Sequence, residues 1–244
     1  MASLIRKIAR RVVADEMPKQ GGFPGASNSF PTWITAFDNP GEAPRRLIEV
    51  SLEAIRATLN DVSLDDLAKR TNSPDYFTIW PGEHYKLLAG FMKVLKPKVV
   101  IEIGTDTGLS ALVLKKYLPA GGKVVTFDLR PWKTVDESVL TDADFADGQL
   151  EQRLIDLAEP EHFEKNRSLM ESAEFFFVDG PKNISFEKAL MKQLATINYK
   201  TPPIMLWDDT RLPSMVKFWR ELERPKLDLT SFGHWSGTGL VELK

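Results

Sequence analysis

The sequence predicts an α/β fold: a three-layer, doubly wound, mostly parallel seven-stranded sheet with an antiparallel last strand, plus an N-terminal helical extension. Three observations lead there. After Pro97, short β-branched and aromatic runs alternate with helical periodicities, the pattern of a parallel sheet covered on both faces. The last two runs are joined only by a Gly-rich hairpin and must be antiparallel neighbours. The chain has 244 residues, which suits one such domain with an extension.

Each element has its own warrant. Leu4, Ile5, Ile8 and Val12 share one helical face, with Arg6, Lys7, Arg10 and Arg11 largely elsewhere. This reads as a docking helix; Asp15 and Glu16 follow at once and weaken a membrane-surface reading. Residues 18–44 hold five of the sixteen prolines and several glycines, so a loop is expected, serving as a lid or subunit-contact arm. Over Pro44–Asn60, Leu47, Ile48, Ser51, Leu52, Ile55 and Leu59 follow the helical period. Ser63–Arg70 reads as a shorter helix with Ser63 as N-cap. Gly82–Leu95 reads as a third.

Seven strands are expected at Lys98–Gly104, Lys123–Leu129, Gln152–Leu157, Glu174–Asp179, Pro203–Asp208, Leu227–Phe232 and Gly239–Leu243. Helices are expected between them at Gly108–Tyr117, Ile184–Ile197 and Pro213–Glu223. From Thr134 to Glu161 there are nine acids and one base, Arg153; this reads as a solvated face, with a lid or dimer contact as the alternative. Residues 1–79 form the N-terminal arm and helices, and residues 80–244 the sheet domain.

Composition narrows the function. Lys and Arg total 32 against 34 Asp and Glu, for a net charge of −2, which lacks the basic surplus that nucleic-acid backbones require. Cysteine is absent, which removes disulfides, thiolate metal sites and thiol catalysis. His84, His162 and His234 are too scattered for a His-rich metal motif. Apolar runs reach only four residues, as at Phe175–Val178, so no membrane-spanning helix is expected. With no secretory signal visible, a cytoplasmic location is expected.

In open α/β sheets ligands bind beyond the carboxyl ends of the strands. The first strand ends in EIGTDTGLS, Glu102 to Ser110. Gly104 and Gly108 let the backbone turn and approach a ligand. Asp106 stands where a dinucleotide fingerprint needs its second glycine, which argues against NAD. Asp128 ends the second strand, about 20 residues on, where an acid can accept hydrogen bonds from ribose hydroxyls. Asp179, then Asp208 and Asp209, end the fourth and fifth strands. Three such carboxylates need a positive partner. A hard divalent cation such as Mg²⁺ is one solution. A metal-free charge network with Lys182 and Arg211 is the other, and the residues alone do not choose.

Taken in order, EIGTDTGLSAL, the Asp128 strand end, VDGPK and WDDT resemble the class I S-adenosylmethionine-dependent methyltransferases, closest to the catechol O-methyltransferase-like small-molecule subgroup. The resemblance covers about residues 80–244, which makes that segment a Rossmann-like methyltransferase domain. It implies S-adenosylmethionine as cofactor and a small hydroxylated acceptor. It assigns Glu102, Gly104, Thr105 and Gly108 to the methionine end of the cofactor, with Ser110 and Asp179 near it, Asp128 to the ribose, and Asp156, more loosely, to the adenine. It assigns Asp179, Asp208 and Asp209 to Mg²⁺, although the family often has Asp-Asn at the last pair. It assigns the general base to Lys182.

Such a transfer is an in-line displacement. The hydroxyl must be aligned with the methyl carbon and must lose its proton. A metal-free alternative uses His234, in the FGHWSGTG loop, as base if the sixth strand runs parallel to the first five. Trp80 and His84, in TIWPGEHY, are candidates to cover the cofactor or acceptor, although for Trp80 packing between the N-terminal helices and the sheet is the favoured reading. A non-catalytic cofactor-binding relative is the alternative of a different class. The N-terminal arm makes a homodimer plausible.

Overall fold

Alternate residues of each strand feed two different apolar layers, and that alternation organises the molecule. The computed structural model describes residues 43–77 and 84–243. The helix expected near the N-terminus, most of the Pro/Gly-rich stretch, and Trp80 lie outside the described residues. The strands are β1 (Val99–Ile103), β2 (Lys123–Asp128), β3 (Leu150–Leu154), β4 (Phe175–Val178), β5 (Ile204–Asp208), β6 (Lys226–Asp228) and β7 (Thr238–Glu242). The helices are α1 (Arg45–Asn60), α2 (Asp65–Ala68), α3 (Tyr85–Leu95), α4 (Leu109–Lys116), α5 (Asp142–Phe145), α6 (Pro160–Lys165), α7 (Arg167–Ser172), α8 (Ser185–Leu194) and α9 (Pro213–Glu221).

The sheet order is β3-β2-β1-β4-β5-β7-β6. Strands β1 to β5 pair in parallel, and β7 inserts antiparallel between β5 and β6. This is the seven-stranded, doubly wound sheet expected from the sequence. Val100, Val124, Phe175, Phe177 and Leu206 face one layer with Leu88, Phe91 and Leu112. Ile101, Val125, Phe176, Met205 and Trp207 face the other with Phe163, Leu190, Met215 and Trp219. The strands read as continuous apolar runs because both faces are covered. No helix among the described residues is long and apolar enough to cross a membrane.

Several expectations need correction. In α1 the inward residues are Leu47, Ser51, Ala54, Ala57 and Thr58, whereas Ile48, Leu52 and Leu59 are exposed. Small residues face inward because α1 packs closely on α3: a Cβ on Gly90 would lie 2.4 Å from the Ala54 carbonyl oxygen. Ser63 does not cap α2; Leu64 holds that position, and the Ser63 hydroxyl bonds to Asp65 instead. Strand β3 begins two residues earlier than expected, because Leu150 is the residue that pairs with Val124. The chain over 229–232 turns in a short 3₁₀ segment where strand was expected. Helices α6 and α7 were not anticipated, since each is a single short amphipathic stretch.

The order of strands places the chemistry. β1 has β2 on one side and β4 on the other, so the connections after β1 and β4 diverge. The crevice at such a switch point lies at the carboxyl ends of these strands. Because β6 is parallel to β5, the loop after it, carrying His234, reaches this same edge.

Candidate active site

Just before the turn that follows β1, Glu102 in the strand itself has a fully buried side chain. Its carboxylate oxygens have no hydrogen-bond partner among the described residues. Burial pushes its pKa up to about 8, opposed by the nearby Ser110 and Thr126 hydroxyls. Gly104 has φ +98, and a Cβ there would meet the Asp179 carbonyl oxygen at 2.2 Å. Gly108, with φ +85, is closed off by Leu140. Both positions therefore require glycine. Thr105 is buried, its hydroxyl 2.8 Å from that of Thr126. Ser110 is buried in the first turn of α4.

Asp128 binds this turn to the end of β2. Its Oδ2 accepts the backbone N–H groups of Thr105 (2.9 Å) and Asp106 (3.1 Å). Its Oδ1 accepts those of Leu129 (2.7 Å) and Arg130 (3.0 Å). Asp156 follows β3 and accepts the Ala158 N–H at 2.8 Å. A cavity of about 320 Å³ opens beside the turn, lined by Arg70, Tyr76, Tyr85, Asp106 and Thr107 among others. A larger hollow of about 410 Å³, between α8 and α9, holds none of the expected site residues.

At the ends of β4 and β5 the acids do converge. One carboxylate oxygen each from Asp179, Asp208 and Asp209 lies within 4.8 Å of the others. Lys182 sends its ammonium among them, bonded to Asp179 and 2.8 Å from Asp209 Oδ2. Burial opposes its charge, but Asp179, Asp209 and Asp208 outweigh it and hold the pKa above the ordinary lysine value. Burial and the charge of Asp208 raise Asp209, against Lys182 and Ser236. Burial would raise Asp208 too, but His84 and His234 hold it well below the usual range. Arg211, expected with Lys182 in a charge network among these strand-end acids, is buried and bonds Asp228 on β6 at 2.7 Å.

Two histidines flank Asp208. His234 Nδ1 lies 3.2 Å from both carboxylate oxygens and 2.7 Å from Ser236 Oγ, which in turn donates to Asp209. His84 is buried, with Nδ1 3.5 Å from Asp208 Oδ1. Burial lowers its pKa, but Asp208 and Asp179 prevail and raise it. The link from His84 to Asp208 left no local signal, because the two lie far apart in sequence. Trp235, whose ring meets that of His234, is half exposed. Lys182, Ile184 and Asp209 all have positive φ (56, 69 and 62°), strain gathered at one site. Glu187, buried on α8, accepts the Lys182 N–H at 3.0 Å and fixes this loop; its role was not anticipated.

A doubly wound sheet with a glycine turn after β1, an acid ending β2 and acids ending β4 and β5 defines a class I S-adenosylmethionine-dependent methyltransferase. The family model for O-methyltransferase matches residues 56–210, and the chain belongs to that family. Solved structures agree on the fold. A candidate caffeoyl-CoA O-methyltransferase from Staphylococcus aureus is 13% identical, with 81% of this chain and 100% of that one covered and a TM-score of 0.52. A methyltransferase from Geobacter sulfurreducens is 12% identical, with 83% and 98% covered and a TM-score of 0.50. No curated protein matches the sequence significantly.

Proposed function

We propose that this methyltransferase transfers a methyl group from S-adenosylmethionine to a hydroxyl of a small acceptor at the carboxyl edge of β1, β4 and β5. The observation that carries this reading is the meeting of the Gly104–Gly108 turn with the Asp179, Lys182, Asp208 and Asp209 cluster across one strand boundary: the Asp179 carbonyl packs against Gly104 itself. Cofactor and reacting groups are thereby neighbours.

The residues fit the cofactor. Gly104 and Gly108, both at positive φ and with no room for a Cβ, fix the shape of the turn that would cradle the cofactor. Glu102 offers a buried acceptor without a hydrogen-bond partner among the described residues. Asp128 would bind the ribose hydroxyls, sharing oxygens that now accept the Asp106 and Arg130 N–H groups. Thr105 and Ser110 would complete the methionine end, and Asp156 would face the adenine. The cofactor supplies a sulfonium-bound, electrophilic methyl group. The protein must align the acceptor oxygen and take its proton.

Asp179, Asp208 and Asp209 are hard oxygen donors and would hold Mg²⁺, which would lower the pKa of an acceptor hydroxyl. Lys182 would be the base in that state. The base role requires Asp179 and Asp209 to be relieved of their hold on its proton. A second reading is favoured by a specific contact: His234 Nδ1 lies against the Asp208 carboxylate, an arrangement that orients an imidazole for proton acceptance through Nε2. Lys182 then stays charged and offsets the carboxylates without metal.

The test is calorimetric titration with S-adenosylmethionine, with Mg²⁺ and with chelator. It is followed by methyl transfer from labelled cofactor to a panel of phenols and catechols. Binding followed by turnover on a hydroxylated acceptor is expected. Folded protein that binds no cofactor would overturn the reading. Turnover that survives chelation but not His234→Ala would select the metal-free base. Turnover that needs Mg²⁺ and is lost in Asp208→Ala would select the carboxylate site.

A further inference from the structure

The Asp179, Asp208 and Asp209 cluster already has a cation, the Lys182 ammonium. The other side of Asp208 is different. There a fully desolvated imidazole, His84, has no hydrogen-bond partner for either ring nitrogen among the described residues. A buried polar group left in that state is costly. It faces a carboxylate and a second imidazole: one donor atom each from His84, Asp208 and His234 lies within 4.8 Å of the others.

We propose that His84, Asp208 and His234 form a two-imidazole, one-carboxylate site for a borderline divalent cation of the Zn²⁺ class. The spacing fits. An ion with bonds of about 2.0–2.1 Å in tetrahedral geometry sets its ligand atoms roughly 3.3–3.4 Å apart. The His84 Nδ1 to Asp208 Oδ1 separation is 3.5 Å, and the His234 Nδ1 to Asp208 Oδ1 separation is 3.2 Å. The 3.5 Å pair is not a hydrogen bond, yet it is close to that edge length. The donor types select the ion: imidazole nitrogens suit Zn²⁺, Co²⁺ or Ni²⁺, whereas Mg²⁺ takes oxygens. The His234 side chain is 16% exposed, which gives the ion an entry side, and the His84 side chain, 5% exposed, closes the inner wall.

The two rings meet edge to face, with centroids 5.5 Å apart. His84 is held there by Phe177 and Tyr85. The position of the ion beside the reacting edge rests on the methyltransferase reading for its use, but not for its binding. With the ion on His234 Nδ1, that histidine would no longer be free to act as base, and an acceptor hydroxyl could fill the open coordination position.

The test uses the whole chain, stripped with chelator and titrated with Co²⁺ alone while visible absorption is followed. The expected result is saturable binding with the strong d–d bands of a four- or five-coordinate site, displaced by Zn²⁺ but not by excess Mg²⁺. His84→Asn and His234→Ala should each weaken binding about tenfold or more, while Asp179→Asn leaves it unchanged. Circular dichroism checks that each variant is folded. If His84→Asn fails to fold, the more exposed His234→Ala carries the test. No binding by the unaltered chain, unchanged affinity in His234→Ala, or loss of binding in Asp179→Asn would each overturn the proposal. S-adenosylmethionine titrated into the same samples reports on the methyltransferase reading separately, because Co²⁺ binding is measured without cofactor or turnover.

Discussion

Lys182 Nζ lies 2.8 Å from Asp209 Oδ2 while also bonded to Asp179, so one ammonium joins the strand ends of β4 and β5. Breaking a buried pair by removing one partner leaves uncompensated charge. Lys182→Met should therefore destabilise the protein by about 3 kcal/mol at pH 7. The loss should shrink as the pH falls and the carboxylates take up protons. Denaturant unfolding at neutral and mildly acidic pH measures both effects. Wild-type stability at pH 7 would show that the cluster does not depend on this charge.

Asp128 accepts four backbone N–H groups that together shape the glycine turn. Asp128→Ala should weaken S-adenosylmethionine binding by about tenfold or more, since it removes both the ribose acceptor and the anchor of the turn, each charged hydrogen bond being worth about 1.5–3 kcal/mol. Calorimetry reads this directly. Unchanged affinity would remove the ribose assignment.

Glu102 has a pKa of about 8 when folded, against an ordinary value of 4.5. The folded state then holds a proton that the unfolded state has lost. Stability should fall as the pH rises from about 4.5 to about 8 and level off above that. Glu102→Gln should flatten this part of the profile and be the more stable protein at pH 8. Thermal melts across pH 5–9 (on the order of half-unit steps) compare the two. Parallel profiles would mean that the Glu102 carboxyl ionises normally in the fold.

Gly104 and Gly121 both have positive φ, yet only Gly104 is enclosed. Gly121→Ala should cost about 1–2 kcal/mol, the left-handed backbone penalty alone. Gly104→Ala should cost clearly more and abolish cofactor binding, because its Cβ would strike the Asp179 carbonyl. Equal losses of stability would contradict the close approach of β4 to the turn.

The parts of the fold legible in the sequence were those written as local patterns. VVIEI and FFFV read as buried strands because both faces are apolar, and the structure places them at the centre of the sheet. The strand-end acids were legible for the same reason: each follows such a run directly. The inward face of α1 was not, because small residues were selected there by the close approach of α3, which no periodicity encodes. Helices α6 and α7 escaped because one or two turns carry too little periodic signal.

The sequence by itself determined the sheet, the glycine turn after β1 and the carboxylates at the strand ends, since these follow from residue type, spacing and strand periodicity. Only the tertiary structure decided how their charges are shared. It sent Lys182 among the acids, turned Arg211 to Asp228, and set His84 and His234 on either side of Asp208. These choices depend on distances of a few ångströms between loops that are remote in the chain. Electrostatic and hydrogen-bonding energies follow those distances, not separation along the sequence.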